Sequence, residues 1–263
     1  MTVEQPDMAA RTAGQGARVI IFPDGAAVAR ALARRIAAAV EATPALVLGL
    51  PTGQTPLALY AELGRLHAEG ADFSRVTTFN LDEFLGIPPS HPGSYRTFME
   101  EHLFRRVNIP TERHNFLDGS AADPERECAR YERAIAEAGG IDLQVLGIGT
   151  NGHIGFNEPA RELQSRTHRV TLTAETRRSN AALFGGDVSR VPAEALSMGM
   201  ASILGARAIV MLATGAAKAS CVERMVNGPL TTELPASFLQ LHHDVDIMLD
   251  EPATGQLRGQ SNG

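Results

Sequence analysis

The sequence predicts an α/β fold: a single domain with a doubly wound, mostly parallel sheet and helices on both faces, in a Rossmann-like arrangement. Two observations predict this fold. Apolar runs of strand length alternate with segments of helical periodicity, and this order is typical of helices packed on both faces of a parallel sheet. Several apolar runs are continuous rather than alternating, as expected for strands that are buried on both faces.

Six apolar runs account for the predicted strands. In chain order they are RVIIF at 18–22, ALVLGL at 45–50, VTTFNL at 76–81, IDLQVLGI at 141–148, ARAIVMLA at 206–213 and VDIML at 245–249. Short runs rich in large apolar residues favour strands that lie inside a sheet. A weaker run at 168–173 is a candidate for another strand.

The segments between these runs carry apolar residues at helical spacing. The predicted helices are 26–42, 56–69, 94–105, 123–138, 178–183 and 217–226. Because the chain contains no repeat and no low-complexity block, we predict one domain over residues 18–254. Residues 1–17 and 255–263 are expected to be frayed tails.

Composition narrows the functional classes. The chain has 263 residues, 44% apolar and 21% charged, which is ordinary for a globular protein. A net charge of −6 argues against a nucleic-acid partner, which would need a basic surface. No apolar run approaches the roughly 18 residues that span a bilayer, and residues 1–17 lack the apolar segment of a secretory signal. We therefore expect a cytoplasmic protein with no membrane contact, in which Cys128 and Cys221 are reduced.

The turn after the second predicted strand is a candidate anion site. Its sequence, PTGQTP at 51–56, supplies hydroxyl groups and a glycine just before a helix. Free N–H groups at a helix start attract anions, although an ordinary turn capped by Thr55 explains the pattern equally well. The candidate binding residues are Thr52, Gly53, Gln54 and Thr55. Two cations at later strand-to-helix junctions, Arg177 and Lys218, favour a phosphate.

Two adjacent carboxylates, Asp82 and Glu83, follow the third predicted strand. Neighbouring residues of an extended segment point to opposite sides, so one carboxylate can face a cleft while the other braces the loop. A partly desolvated carboxylate can act as a general base. A salt-bridging or capping pair is the ordinary alternative, and the spacing alone favours it.

The stretch 141–159 carries the strongest signal. An apolar strand runs into a glycine-rich turn, which presents three polar side chains within eight residues: Asn151, His153 and Glu158. A histidine beside a carboxylate and an amide is a candidate proton shuttle. The turn also matches the dinucleotide pattern G-x-G-x-x-G, but Pro159 ends any helix too early for that site. We therefore predict that no nicotinamide or flavin cofactor binds at this turn, and because no ligand spacing is evident, we predict no metal site.

From the residues alone, the chain is an α/β enzyme acting on a small phosphate-bearing substrate. Its motifs also resemble those of the glucosamine-6-phosphate deaminase family. The likeness runs through LGLPTGQTPLALY, FNLDEFLGIPPSHPGSYRTFM and GIGTNGHIGFNEP and covers about residues 18–254. The related 6-phosphogluconolactonases share the fold but carry a GHTASLFP-like sequence in place of GHIGFNEP.

The resemblance implies conversion of glucosamine 6-phosphate and water to fructose 6-phosphate and ammonia, in amino-sugar catabolism, without metal or organic cofactor. By motif position Asp82 is the base that moves the C2 proton to C1, and His153 opens the sugar ring. Glu158 orients and polarises that histidine. The turn at 52–55, with Arg177 and Lys218, holds the phosphate.

Two alternative functions remain beside the resemblance, and the chain departs from the family pattern at Asn151. A deaminase of another amino-sugar phosphate, such as galactosamine 6-phosphate, would share every motif. A non-catalytic sugar-phosphate sensor would have lost Asp82 or His153, and both are present. Where the family pattern has aspartate, this chain has Asn151, which hydrogen-bonds but carries no charge, so His153 should depend more on Glu158. The sequence leaves a homo-oligomer open.

Overall fold

An eleven-strand framework is found among residues 10–13 and 17–257, which are the residues described by the computed structural model. Its strands are β1 (Ala10–Ala13), β2 (Ala17–Phe22), β3 (Val47–Leu50), β4 (Thr77–Asn80), β5 (Asp82–Phe84), β6 (His114–Asn115), β7 (Leu143–Gly147), β8 (His168–Thr171), β9 (Glu194–Ser197), β10 (Ala208–Ala213) and β11 (Val245–Asp250).

The main sheet has the order β1-β2-β11-β10-β7-β3-β4-β6. Every neighbouring pair is parallel except β1 and β2, which are antiparallel. From β3 the chain adds strands in one direction, to β4 and β6, and from β7 it adds them in the other, to β10 and β11. The order therefore reverses between β3 and β7, and such a switch point is where open α/β sheets bind ligands.

The helices are α1 (Gly25–Ala42), α2 (Leu57–Ala68), α3 (Tyr95–His102), α4 (Pro124–Glu137), α5 (Ala174–Asn180), α6 (Met200–Leu204) and α7 (Ala219–Asn227). Side chains of α1, α2 and α3 share one apolar core, and those of α4, α6 and α7 share another. Alternate residues of one strand feed the two cores: Val210 and Leu212 face the first, Ile209 and Met211 the second. The predicted doubly wound fold is confirmed.

A second, antiparallel sheet of order β5-β9-β8 lies beside the main one. In it Asp82 is opposite Ser197, and Phe84 is opposite Ala195. The sequence predicted that Asp82 and Glu83 follow the strand at 76–81 without forming a strand of their own. The three residues of β5 form a separate strand instead, because β9 satisfies their backbone groups. A third apolar cluster around Phe84, Tyr95 and Phe156 packs against this sheet.

The predicted elements agree with the structure except near their ends. The six strands and the candidate strand at 168–173 are confirmed, and helix 178–183 is replaced by α5 with a following 3₁₀ turn at Ala181–Phe184. The assignment of 1–17 to a tail is wrong for Ala10–Ala13, because the open edge of β2 offers hydrogen-bonding partners to these residues. Residues 1–9, 14–16 and 258–263 lie outside the described part. No helix within 17–257 has both the length and the apolar character needed to cross a membrane.

Candidate active site

A cavity of about 390 Å³ opens at the carboxyl ends of the central strands. It is lined by the turn after β3, the end of β4, the glycine-rich turn after β7 and Lys218 after β10. These segments flank the position where the strand order reverses. The turn at 51–56, Asp82 and the glycine-rich turn, which the sequence presents as separate polar segments, thus lie at one rim of the sheet.

The turn at 51–56 forms one wall of this cavity. Gly53 has a φ of +106°, a conformation that side chains with a Cβ rarely adopt. The Tyr60 hydroxyl donates to the Pro51 carbonyl and fixes the turn from its buried side. The expected N-cap role of Thr55 is wrong: Pro56 occupies the cap position and no side chain caps α2. Within the described part of the chain, the N–H groups at the start of α2 therefore have no side-chain acceptor.

Lys218 is the one lysine or arginine among the described residues that line the cavity. Its Nζ donates to the Ile148 carbonyl over 2.7 Å, which holds the ammonium group at the glycine-rich turn. Burial lowers the pKa of Lys218. The turn that carries this lysine is itself held by Asp250, whose carboxylate accepts from the Gly215 N–H over 2.9 and 3.0 Å. Asp250 was not among the residues predicted from the sequence.

Arg177 does not reach the cavity. Its guanidinium donates to the carbonyls of Val188, over 3.1 Å, and Val191, over 2.9 Å. The reason is helical geometry, since successive residues of an α-helix are turned by about 100°. On α5, Thr176 faces inward, and the next residue therefore faces the 188–191 turn. The structure therefore does not bring Arg177 together with Lys218 and the turn at 51–56, beside which the sequence analysis expected it.

The carboxylates of Asp82 and Glu83 have different surroundings. Glu83 accepts four hydrogen bonds, from Ser94 Oγ (2.7 Å) and from the N–H groups of Phe84 (2.8 Å), Tyr95 (3.1 Å) and Arg96 (3.1 Å). It anchors the start of α3. None of the hydrogen bonds among the described residues reaches the carboxylate of Asp82, which lines the cavity. Glu83 therefore has the capping role that one alternative describes, whereas the Asp82 carboxylate faces the cavity.

Burial has a direct effect on the acidity of Asp82. The residue is only 7% exposed, and desolvation, followed by the charge of Glu83, raises its pKa to about 8. Burial also raises the pKa of Glu83, although its hydrogen bonds oppose this. A carboxylate with a pKa close to physiological pH can both accept and return a proton.

The glycine-rich turn places the imidazole of His153 against its own backbone. A Cβ on Gly149 would lie 2.3 Å from His153 Cε1, so only glycine allows the ring to sit there. The Gly149 N–H donates to the His153 carbonyl over 3.0 Å. Asn151 Oδ1 accepts from the His153 N–H over 3.1 Å, which closes the turn.

Glu158 is the charged partner of this histidine. Its Oε2 lies 3.5 Å from His153 Nδ1 and accepts from Asn151 Nδ2 over 2.8 Å. Its Oε1 accepts from the hydroxyl of Thr176. Burial opposes ionisation, but the interactions with His153, Thr176 and Asn151 outweigh it and lower the pKa of Glu158 to about 2. The imidazole therefore faces a permanent negative charge at neutral pH.

Helix α5 supplies cavity residues that the sequence analysis missed. Thr176 contacts Glu158, and Asn180 Oδ1 accepts from the Tyr95 hydroxyl over 3.1 Å. Glu175 Oε1 accepts from Thr150 Oγ1 over 3.3 Å. The sequence of α5 is polar and resembles that of a surface helix, so its residues did not indicate that the helix lines a cavity. The one sequence feature that could have indicated this is the position of α5 directly after a strand.

Taken together, the cavity can bind an anion and transfer protons. Lys218 and the turn at 51–56 supply positive potential, the Asp82 carboxylate has no hydrogen-bonding partner among the described residues, and His153 has a fixed counter-charge. Within 17–257 no three histidine, cysteine, aspartate or glutamate side chains are grouped as a metal site would require.

A sequence profile of the family described as glucosamine-6-phosphate isomerases/6-phosphogluconolactonase matches residues 24–248. Every segment that lines the cavity falls in this range. The chain belongs to this family.

Relatives within the family cover most of the chain. A protein of Giardia intestinalis named glucosamine-6-phosphate deaminase 1 is 52% identical over 223 residues, which are 84% of this chain and 84% of the relative. A glucosamine-6-phosphate deaminase of Alkaliphilus oremlandii is 48% identical over 232 residues, 88% of this chain and 96% of the relative.

Solved structures of the family agree with the fold. A monomeric glucosamine-6-phosphate deaminase superposes with a TM-score of 0.87 at 40% identity, over 91% of this chain and 99% of its own. A 6-phosphogluconolactonase from Trypanosoma cruzi gives a TM-score of 0.75 at 19% identity, over 95% of this chain and 99% of its own. At that identity the likeness concerns the fold alone.

Proposed function

We propose that this protein is a glucosamine-6-phosphate deaminase, which converts glucosamine 6-phosphate and water to fructose 6-phosphate and ammonia. The observation that carries the proposal is the presence of three groups in one cavity. They are the carboxylate of Asp82, which no hydrogen bond from the described part of the chain reaches, His153 with its fixed counter-charge, and Lys218. Relatives named for this activity at 52% and 48% identity support it.

The phosphate sits against the turn at 52–55 and Lys218. The ammonium group of Lys218 is partly buried, so its attraction for a dianion is less screened than at an exposed site. The uncapped N–H groups at the start of α2 add donors and a favourable dipole. This binding is remote from the reacting carbons and acts in the ground and transition states alike.

Ring opening is the task of His153. The pyranose opens when the proton of the O1 hydroxyl is removed and a proton is delivered to O5. The imidazole carries that proton between the two oxygens and is positively charged while it does so. Glu158, ionised and 3.5 Å from Nδ1, stabilises the imidazolium.

The second proton transfer belongs to Asp82. In the open chain C2 lies beside the aldehyde, which makes its proton acidic. Asp82 removes this proton to give an enolamine and returns it to C1, which leaves an imine at C2. Water then hydrolyses the imine, and the products are fructose 6-phosphate and ammonia. A pKa of about 8 suits a group that must accept a proton and release it again.

Ammonia release from a panel of sugar phosphates tests the proposal. The purified protein is incubated with glucosamine 6-phosphate, galactosamine 6-phosphate and 6-phosphogluconolactone, with and without EDTA. We expect ammonia and fructose 6-phosphate from the first, unaffected by EDTA. Turnover of the lactone alone would contradict the proposal, and preferential turnover of the galactosamine epimer would change the substrate.

Location and assembly are also proposed here. A phosphate dianion does not cross a bilayer unaided, so the compartment that we propose for the enzyme is the cytoplasm. A homo-oligomer stays a prediction, which sedimentation of the purified protein decides. The solved relative at 40% identity is described as monomeric.

A further inference from the structure

We propose that Thr176 is a positioning residue of this site: its hydroxyl holds the Glu158 carboxylate against His153, so that ring opening requires α5 to be docked on the cavity. The inference rests on the proposed deaminase reaction and adds to it a residue that touches none of the reacting atoms.

The contact is buried and directional. Thr176 is 2% exposed and Glu158 is 8% exposed. A carboxylate with a pKa of about 2 has no proton to donate, so the hydroxyl of Thr176 must be the donor. Thr173 Oγ1 accepts from the Thr176 N–H over 3.2 Å and thereby sets the start of α5.

Each oxygen of Glu158 has its own donor. Asn151 Nδ2 donates a hydrogen bond to Oε2 over 2.8 Å, and the Thr176 hydroxyl donates to Oε1. The last torsion of a glutamate side chain is broad and twofold, so the side chain does not fix the carboxylate plane by itself. The two donors fix it. Without the hydroxyl of Thr176, the nearest other donor to Oε1 is the Thr173 hydroxyl, at 3.5 Å.

The position of α5 is linked to two further walls of the cavity. Glu175 accepts from Thr150 at the glycine-rich turn, and Asn180 accepts from Tyr95 on α3. These contacts lie on either side of Thr176 along the helix. A shift of α5 would therefore move the Thr176 hydroxyl away from Oε1 of Glu158 and alter the alignment of this carboxylate with His153.

The two proton transfers should respond differently. Glu158 acts on His153, so loss of its alignment slows ring opening. Asp82 makes no hydrogen bond with any residue of this network, so transfer of the C2 proton should be preserved. Because binding of the phosphate depends on Lys218 and the turn at 52–55, KM should change little.

The test is a set of threonine variants in the full-length enzyme. Thr176→Val removes the hydroxyl at nearly constant volume, Thr176→Ala removes it without a branched side chain, and Thr176→Ser restores it. Thr171→Val is the matched control, since Thr171 is exposed at the end of β8. For each variant kcat, KM and the isotope effect of deuterium at C2 of glucosamine 6-phosphate are measured.

We expect kcat to fall about 10- to 100-fold in Thr176→Val and Thr176→Ala, as for other misalignments of about 1 Å. The C2 isotope effect should become smaller than in the wild type, because ring opening then limits the rate. Thr176→Ser should recover most of the activity, and Thr171→Val should match the wild type.

Three results would overturn the inference. One is a kcat within threefold of the wild type in both hydroxyl-free variants. Another is a reduced kcat with an isotope effect no smaller than in the wild type, which indicates a purely structural role. The third is failure of serine to restore activity. A wild-type protein that releases no ammonia is a separate outcome, since it would contradict the proposed function itself.

Discussion

Replacing Asp82 by asparagine and following activity against pH tests whether this carboxylate is the base. Asp82 is buried, accepts no hydrogen bond from the described residues and has its pKa raised to about 8 by desolvation and then by the charge of Glu83. Only the ionised form can remove the C2 proton. The dependence of kcat/KM on pH reports this ionisation in the free enzyme.

The magnitude follows from that pKa. About 9% of Asp82 is ionised at pH 7 and about 1% at pH 6. We therefore expect kcat/KM to rise nearly tenfold from pH 6 to pH 7 and to level off above pH 8. Asp82→Asn should lower kcat by about 10²–10⁴-fold, the usual loss for a proton-transfer group, and its residual activity should lack this rise.

The same shift has a consequence for stability. The pKa of Asp82 is higher in the folded protein, about 8, than its ordinary value of 3.8. The folded state therefore binds more protons between these values, and the stability associated with Asp82 is lost as pH rises through this window. Asp82→Asn removes the loss, so its Tm should exceed that of the wild type at pH 8 by more than at pH 5.

The assay is ammonia release between pH 5.5 and 9, with Glu83→Gln as the neighbouring control. Removing the charge of Glu83 should lower the pKa of Asp82 and move the rise in kcat/KM to lower pH. A wild-type profile that is flat between pH 6 and 8 would refute the assignment of the base. So would an Asp82→Asn variant with activity within tenfold of the wild type.

Three further predictions concern the rest of the cavity. Gly149→Ala should lower kcat at least tenfold, because the new Cβ would lie 2.3 Å from the imidazole of His153. Gly147→Ala should have a smaller effect, because its Cβ would meet nothing within 4 Å. Equal losses of kcat for the two variants in a steady-state assay would contradict this prediction. Lys218→Ala should raise KM far more than it lowers kcat. Arg177→Ala should leave KM nearly unchanged, because its guanidinium binds backbone carbonyls outside the cavity. If Arg177→Ala had the higher KM, then Arg177 and not Lys218 would bind the phosphate. His153→Gln should reduce kcat about 10²–10⁴-fold and diminish the C2 isotope effect; an undiminished effect would show that His153 does not act in ring opening.

The strands could be predicted because their burial on both faces leaves a continuous apolar pattern. The run at 206–213, for example, supplies β10, whose side chains feed both cores. The second sheet could not be predicted in this way. Its strand β5 has three residues, and it exists only because β9, more than 100 positions later in the chain, pairs with it. Short strands of this kind depend on partners that local sequence does not reveal.

The site residues show the same division. The contacts within the glycine-rich turn could be predicted from the sequence, because Asn151, His153 and Glu158 lie within a few positions of one another and the local backbone brings them together. Which face of α5 points into the cavity could not be predicted from the sequence. Thr176 contacts Glu158, whereas the next residue, Arg177, binds the carbonyls of the 188–191 turn. Which of the two faces the cavity depends on how α5 is oriented by its packing against the rest of the fold.

The sequence by itself determined the fold class, the family motifs and the local chemistry of the histidine turn, because each depends on patterns within a few residues or on side-chain type. Only the tertiary structure decided which carboxylate is free. Asp82 and Glu83 are adjacent and both are buried, but α3 provides donors to Glu83 alone. Burial and hydrogen bonding are properties of the surroundings, and those surroundings come from segments that are distant in the chain.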